Sequence, residues 1–140
     1  MNSVPLIVLT EDNAADAYLV RTALEEEGLE FELRILSDGE QAQQFLEAVE
    51  ENRTDCPDLL LLDLNLPKMS GAEVLTKLRE QGRCSAVSVI VLSSSDSSVD
   101  RMRVAQLGVK HYFLKPACLE GFMKLGPLVR QVLAARKEGC

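Results

Sequence analysis

No stretch of this 140-residue chain approaches the length of a membrane-spanning helix. The first apolar run, Val4 to Leu9, is also too short for the core of a signal peptide and meets Glu11 and Asp12 at once. Together these absences predict a cytoplasmic protein that does not engage a membrane. No cluster of Lys and Arg interrupts a balance of 22 acidic against 15 basic residues, formal charge -7, so the surface as a whole repels a phosphate backbone and no nucleic-acid partner is expected. The four cysteines, Cys56, Cys84, Cys118 and Cys140, show no CxxC spacing and no nearby histidine. Neither a zinc site nor a redox pair is indicated, and reduced, partly buried thiols are the expectation. The single histidine, His111, has no second histidine or thiol beside it and is expected at a partly exposed strand position rather than on a metal. Low-complexity tracts are absent too, and 46% hydrophobic with 26% charged residues is the composition of a folded globular protein of one-domain size.

What is present is an alternation. Val4 to Thr10 is a short continuous apolar run ending in acids, the pattern of a strand buried on both faces. Helical spacing of Ala15, Tyr18, Leu19, Ala23 and Leu24 follows, with Asp12 or Asn13 as cap and Gly28 as stop. The cycle repeats with strands near Phe31 to Leu36, Leu59 to Asp63, Val87 to Leu92 and Lys110 to Leu114. The matching helices run from about Gly39 to Glu51, Gly71 to Gln81, Val99 to Leu107 and Leu119 to Arg136. Strict β-α alternation with apolar strands predicts a three-layer, doubly wound α/β fold built on a five-stranded parallel sheet. In such sheets chemistry sits at the carboxyl ends of the strands, where the strand order reverses.

Those ends carry Glu11 and Asp12, then Asp63, Ser93 and Lys115. Three carboxylates gathered at one edge raise one another's pKa unless a cation neutralises them. Oxygen ligands with room for water and phosphate suit Mg2+, with Mn2+ as the alternative, and Asp12 and Asp63 are the expected side-chain ligands. Taken alone, Glu11-Asp12 is more simply a pair of helix-capping acids and Asp63 a loop-initiating Asp; the company of Lys115 favours the metal-site reading. A carboxylate beside a divalent cation can attack a phosphoryl group in line, so an acyl phosphate on Asp63 is expected. The Ser93 hydroxyl is placed to donate to a phosphoryl oxygen. Lys115 precedes Pro116, where a cis bond would fix its direction toward the acids.

These residues form an ordered pattern: Glu11-Asp12, Asp63-Leu64-Asn65-Leu66-Pro67 with Gly71, Val91-Leu92-Ser93, and Tyr112-Phe113-Leu114-Lys115-Pro116. The pattern resembles the response-regulator receiver family of two-component systems over essentially the whole chain. The resemblance implies a flavodoxin-like fold with strand order 2-1-3-4-5 and a single receiver domain spanning residues 1-140, with no output domain after Arg136. It implies phosphoryl transfer from a sensor histidine kinase to Asp63 and slow self-catalysed hydrolysis, the protein acting on no other substrate. The metal set would be Glu11, Asp12 and Asp63 with the backbone carbonyl of Asn65, while Ser93 and Lys115 bind the phosphoryl oxygens. Tyr112 would be the switch aromatic that moves inward with Ser93, remodelling the face formed by the fourth helix, fifth strand and fifth helix. That face would meet a downstream protein target or a second copy of the chain. More narrowly, Glu11-Asp12-Asn13-Ala14-Ala15-Asp16 and Asp63 through Gly71 are similar to single-domain regulators that serve bacterial phytochrome kinases.

Two departures stand out. Ser93 replaces the commoner Thr, keeping the hydroxyl without the methyl. Gly126-Pro127 interrupts the last helix, where a kink or break is expected. Phe122, Leu125, Val129, Val132 and Leu133 are expected in the core. A flavin carrier of this fold needs a hydroxyl- and Gly-rich loop after the first strand, which here is acidic. A haloacid-dehalogenase-type phosphatase needs a second acid where this chain has Asn65. A partner-binding pseudo-receiver would be expected to lack an acid or the lysine, and a phosphorelay intermediate would keep them all.

Overall fold

A computed structural model of the chain describes residues 4–138. Five strands, β1 (Leu6–Thr10), β2 (Glu32–Leu36), β3 (Leu59–Asp63), β4 (Ser88–Ser93) and β5 (His111–Leu114), form one parallel sheet in the order β2-β1-β3-β4-β5. Between them run α1 (Ala14–Glu26), α2 (Gly39–Glu50), α3 (Gly71–Glu80) and α4 (Ser98–Gln106), and after β5 come α5 (Leu119–Phe122) and α6 (Leu125–Glu138). The expected α/β architecture and strand order are both present.

The central strands read as unbroken apolar runs because both faces of the sheet are covered. In β3, Leu60 and Leu62 join a core with α2, α3 and α4, while Leu59 and Leu61 join a second core with α1, α5 and α6. β1 and β4 divide in the same way: Val8, Val89 and Val91 go to the first core, Ile7, Leu9, Ile90 and Leu92 to the second. The outer strands β2 and β5 are only partly covered. Side-chain caps define where the helices begin, from Asn13 for α1, Asp38 for α2, Ser70 for α3 and Ser97 for α4.

Four expectations are corrected. In α1 the buried stripe is Ala17, Val20, Ala23 and Leu24, whereas Ala15 and Tyr18 face outward. The last helical stretch is broken at Met123 and Lys124, just ahead of Gly126-Pro127, so Pro127 falls in the first turn of α6, where its missing N–H has no intrahelical partner to lose. The Lys115-Pro116 bond is trans, as are all peptide bonds of the described residues. Cys56 and Cys84 form a disulfide, with Cα atoms 5.7 Å apart, in place of two reduced thiols. They lie on the loops that lead into β3 and β4, and the parallel pairing of those strands brings the loops together across 28 residues of sequence. Cys118 is free and exposed, and Cys140 lies outside the described residues. His111 is partly exposed, and Phe122, Leu125, Val129, Val132 and Leu133 are buried, as expected.

Candidate functional site

Strand register assembles the site. Thr10 pairs with Leu62, so Glu11 leaves β1 beside Asp63; Asp63 pairs with Leu92, and Ser93 with Leu114, which puts Lys115 one residue beyond β5 on the same edge. Lys115 N extends this ladder by donating to Ser93 O at 2.7 Å. Asp63 N donates to the buried Thr10 hydroxyl at 3.2 Å, fixing the tip of β3 against β1. The chain then turns sharply. Asn65 N donates to Asp63 Oδ1 at 2.9 Å, and Gly71 N to Leu64 O at 3.0 Å. A Cβ at position 71 would overlap the Asp63 carbonyl oxygen and lie 2.7 Å from Leu64 Cα, so only glycine lets α3 start this close to the strand end.

The Lys115 ammonium is the charge centre. It lies 2.9 Å from Asp63 Oδ2, 2.7 Å from Glu11 Oε1 and 3.0 Å from Asp16 Oδ2, with its side chain 9% exposed. These three carboxylates, rather than a cis proline, give the lysine its direction. Asp16 is a member of the cluster that sequence reasoning left without a role. It sits in the first turn of α1, held there as the Asn13 side chain accepts from Asp16 N at 3.1 Å, and it reaches a lysine 99 residues away. No local pattern shows a contact of that kind. Glu11 Oε1 touches the ammonium without an aligned hydrogen bond, so this buried oxygen keeps acceptor capacity among the described residues.

The electrostatics follow from burial. Glu11 is pushed up to about 7 chiefly by desolvation; Lys115 pulls it down, and neighbouring Asp63 raises it. For Lys115 burial pulls the pKa down, but its contacts with Glu11, Asp63 and Asp16 more than offset this and hold it above the ordinary lysine value. Three carboxylates surround one ammonium, and Asp12 adds a fourth beside Glu11 and Asp63. One oxygen from each of Glu11, Asp12 and Asp63 lies within 4.8 Å of the others, a donor set that fits a hard divalent cation. Glu11 and Asp63 are buried and Asp12 is exposed, so the cluster has a closed floor and an open mouth.

On the neighbouring strand β4, Ser93 is fully buried and its oxygen accepts from Ser95 N at 3.0 Å, so the hydroxyl still has its hydrogen to donate. Tyr112 is half-buried; its hydroxyl donates to Ser95 O at 2.8 Å, and the Arg101 guanidinium lies 4.2 Å from its ring centroid. The aromatic expected to switch is thus tied to the loop that leaves Ser93.

Residues 7–125 match the model of the response regulator receiver domain. The chain belongs to the response-regulator receiver family. It is 37% identical over 115 residues to the probable methanogenesis regulatory protein FilR2 of Methanothrix harundinacea, covering 82% of this chain and 74% of that protein. It is 36% identical over 125 residues to response regulator Rcp1 of Synechocystis sp. strain PCC 6803, covering 89% of this chain and 85% of that protein. Among solved structures, the phosphorylated cyanobacterial phytochrome response regulator RcpA superposes with a TM-score of 0.84 at 32% identity, over 94% of this chain and 95% of that one. The Mn2+-bound form of Rcp1 gives 0.81 at 34% identity, over 91% and 92%. This receiver is therefore a two-component signalling protein, from a family that binds divalent metal and interacts with histidine kinases. Among the described residues no helix is long and apolar enough to cross a membrane.

Proposed function

We propose that this receiver acts as a stand-alone cytoplasmic response regulator, phosphorylated on Asp63 by a sensor histidine kinase of the bacterial phytochrome type. The observation that carries the reading is the Asp63 carboxylate at the tip of β3, sharing Lys115 with two other acids and facing a cation-shaped oxygen set. One carboxylate oxygen attacks the phosphorus of a phosphohistidine; the new P–O bond forms as the P–N bond breaks, and the imidazole leaves. Lys115 balances charge on the transferred oxygens, and the Ser93 hydroxyl donates to one of them. Glu11, Asp12, Asp63 and the Asn65 carbonyl would hold Mg2+, or Mn2+ in its place, and the bound ion supplies further neutralisation of the phosphoryl group.

The phytochrome pairing is supported by likeness to RcpA, whose chain is covered over 95% of its length. The departure of the signal through α4, β5 and the α5–α6 stretch is supported by large apolar side chains left in solvent there: Val99 (71% exposed), Met102 (63%), Leu119 (53%) and Leu114 (42%). That face would receive a downstream protein or a second copy of the chain, with Tyr112 moving inward as Ser93 engages phosphate.

The test is incubation with Mg2+ and acetyl phosphate or phosphoramidate, read by intact mass. One base-labile phosphoryl group on the wild type, absent from Asp63→Asn and from a sample treated with EDTA, is the expected result. A folded, metal-binding wild type that neither small donors nor a panel of sensor kinases can label would instead make this a pseudo-receiver that binds partners without phosphate.

A further inference from the structure

The loop from Leu64 to Ser70 carries Asn65 and enters the core through one side chain: Leu66 is buried, whereas Asn65, Pro67 and Lys68 are exposed, and Leu64 and Met69 are only partly buried. Beyond Leu66 the loop is held by α2. Gly39 N donates to Pro67 O at 3.0 Å, and Met69 N donates to the same oxygen at 2.8 Å, closing a three-residue turn about Lys68. Lys68 sits at φ +72°, in the left-handed region that side chains other than glycine rarely adopt. Its ammonium lies 3.4 Å from Asp38 and 3.5 Å from Glu40, the residues on either side of Gly39. Position 39 has no room for a side chain, because a Cβ there would overlap the carbonyl oxygen and Cβ of Met69 and come within 2.7 Å of its Cα. The first turn of α2 and the loop after Asp63 are therefore fitted backbone to backbone, and the strained turn is held from outside the loop.

We propose that the start of α2 is the positioning element of the cation site: Gly39 and the left-handed turn at Lys68 set the affinity for divalent metal by fixing Asn65, without touching the ion. The inference rests on the metal site proposed above, since Asn65 matters here through its carbonyl and through its N–H bond to Asp63 Oδ1. Ion pairs of an exposed lysine contribute little, so the weight falls on the backbone fit. Outer partners that orient metal ligands commonly change affinity by about 10–100-fold when altered. Gly39→Ala should weaken Mn2+ binding by about tenfold.

The experiment measures Mn2+ dissociation constants by electron paramagnetic resonance, the Asn65 amide shift by NMR, urea unfolding, and acetyl phosphate labelling at limiting and saturating Mg2+. Gly39→Ala should bind Mn2+ more weakly and shift the Asn65 amide, with labelling slowed at limiting Mg2+ and restored at saturation. Lys68→Val and Lys68→Gly both lose the ion pairs at an exposed position where folding survives, but only valine opposes positive φ. Lys68→Val should bind Mn2+ about fivefold more weakly than Lys68→Gly. Equal Mn2+ affinities for those two, or a Gly39→Ala protein that is less stable with unchanged Mn2+ affinity, would show the contact to be structural only and overturn the inference. A wild type that binds no Mn2+ removes the metal-site reading and this inference together, an outcome told apart from the others because it needs no variant.

Discussion

Glu11 is the residue in this site whose negative charge is most at odds with its burial. Its acid form is favoured in the folded chain, with a pKa pushed up to about 7 from an ordinary 4.5. Between those values the folded state holds a proton that the unfolded state has released, so stability falls as pH rises through the interval. The penalty is absent below about 4.5 and complete above about 7, where it amounts to roughly 3 kcal/mol for the metal-free protein. Glu11→Gln should therefore gain stability relative to wild type as pH goes from 5 to 8 in EDTA, measured by urea unfolding, while its Mg2+ affinity falls at pH 8. A difference that does not change with pH would mean that Glu11 ionises normally. Lys115 behaves in the opposite sense. Replacing it by Met leaves Glu11, Asp16 and Asp63 facing one another, and a loss of about 3–5 kcal/mol is expected in EDTA. Saturating Mg2+ should return part of it, read as a larger metal-induced rise in Tm than in wild type. Five of the residues in this cluster were legible as strand-end polar groups. Asp16 was not, because its part depends on a contact made in space between the first turn of α1 and a lysine 99 residues away.

At the scale of elements, sequence periodicity was most informative where burial is complete and least where it is partial. The run Leu59 to Leu62 is buried throughout, and its reading as a central strand needs no tertiary knowledge. The stripe on α1 was misphased because Tyr18 and Ala15 are both apolar enough to count, and a tyrosine can lie on a surface with its hydroxyl in water. The end of the chain shows the same limit. Pro127 marked an interruption, but a proline is compatible with the first turn of a helix, so the break falls ahead of it and α6 runs on undisturbed. This distinction can be measured. Pro127→Ala should change stability by less than about 0.5 kcal/mol, as at other exposed sites free of strain. Leu125→Ala, two residues earlier and fully buried between the sheet and α1, should cost about 2–5 kcal/mol in urea unfolding. A large gain in stability from Pro127→Ala would place the proline inside a helix that it strains instead.

For the molecule as a whole, the Cys56–Cys84 bridge sets chemistry and stability at opposite ends of the sheet. The bridge joins the loops entering β3 and β4, at the amino ends of strands whose carboxyl ends carry Asp63 and Ser93. The covalent loop it closes contains all of β3, the turn through Asn65 and the whole of α3. Side chains already tie this end together without it: Arg79 donates to the Leu107, Ser85 and Val87 carbonyls, and Arg83 to the Val49 carbonyl. Reduction should consequently leave the fold in place. A loop of this length is worth about 3–4 kcal/mol when closed, through the entropy it removes from the unfolded chain. A reducing thiol pool would hold such a pair as two thiols and an oxidising one as a bridge, so the two forms are compared. Oxidised and reduced samples, with the state of the pair checked by alkylation and mass, should differ in urea midpoint by an amount in that range. Cys84→Ala will not serve as the reduced form, since Cys84 is itself buried in the core and its loss adds a cavity. Acetyl phosphate labelling of Asp63 in native buffer should proceed at the same rate in both redox states, because the groups that touch the carboxylate, Lys115 and the Asn65 N–H, lie at the other end of the sheet from the bridge. A labelling rate that follows the redox state would show that the two ends of the sheet are mechanically coupled through β3.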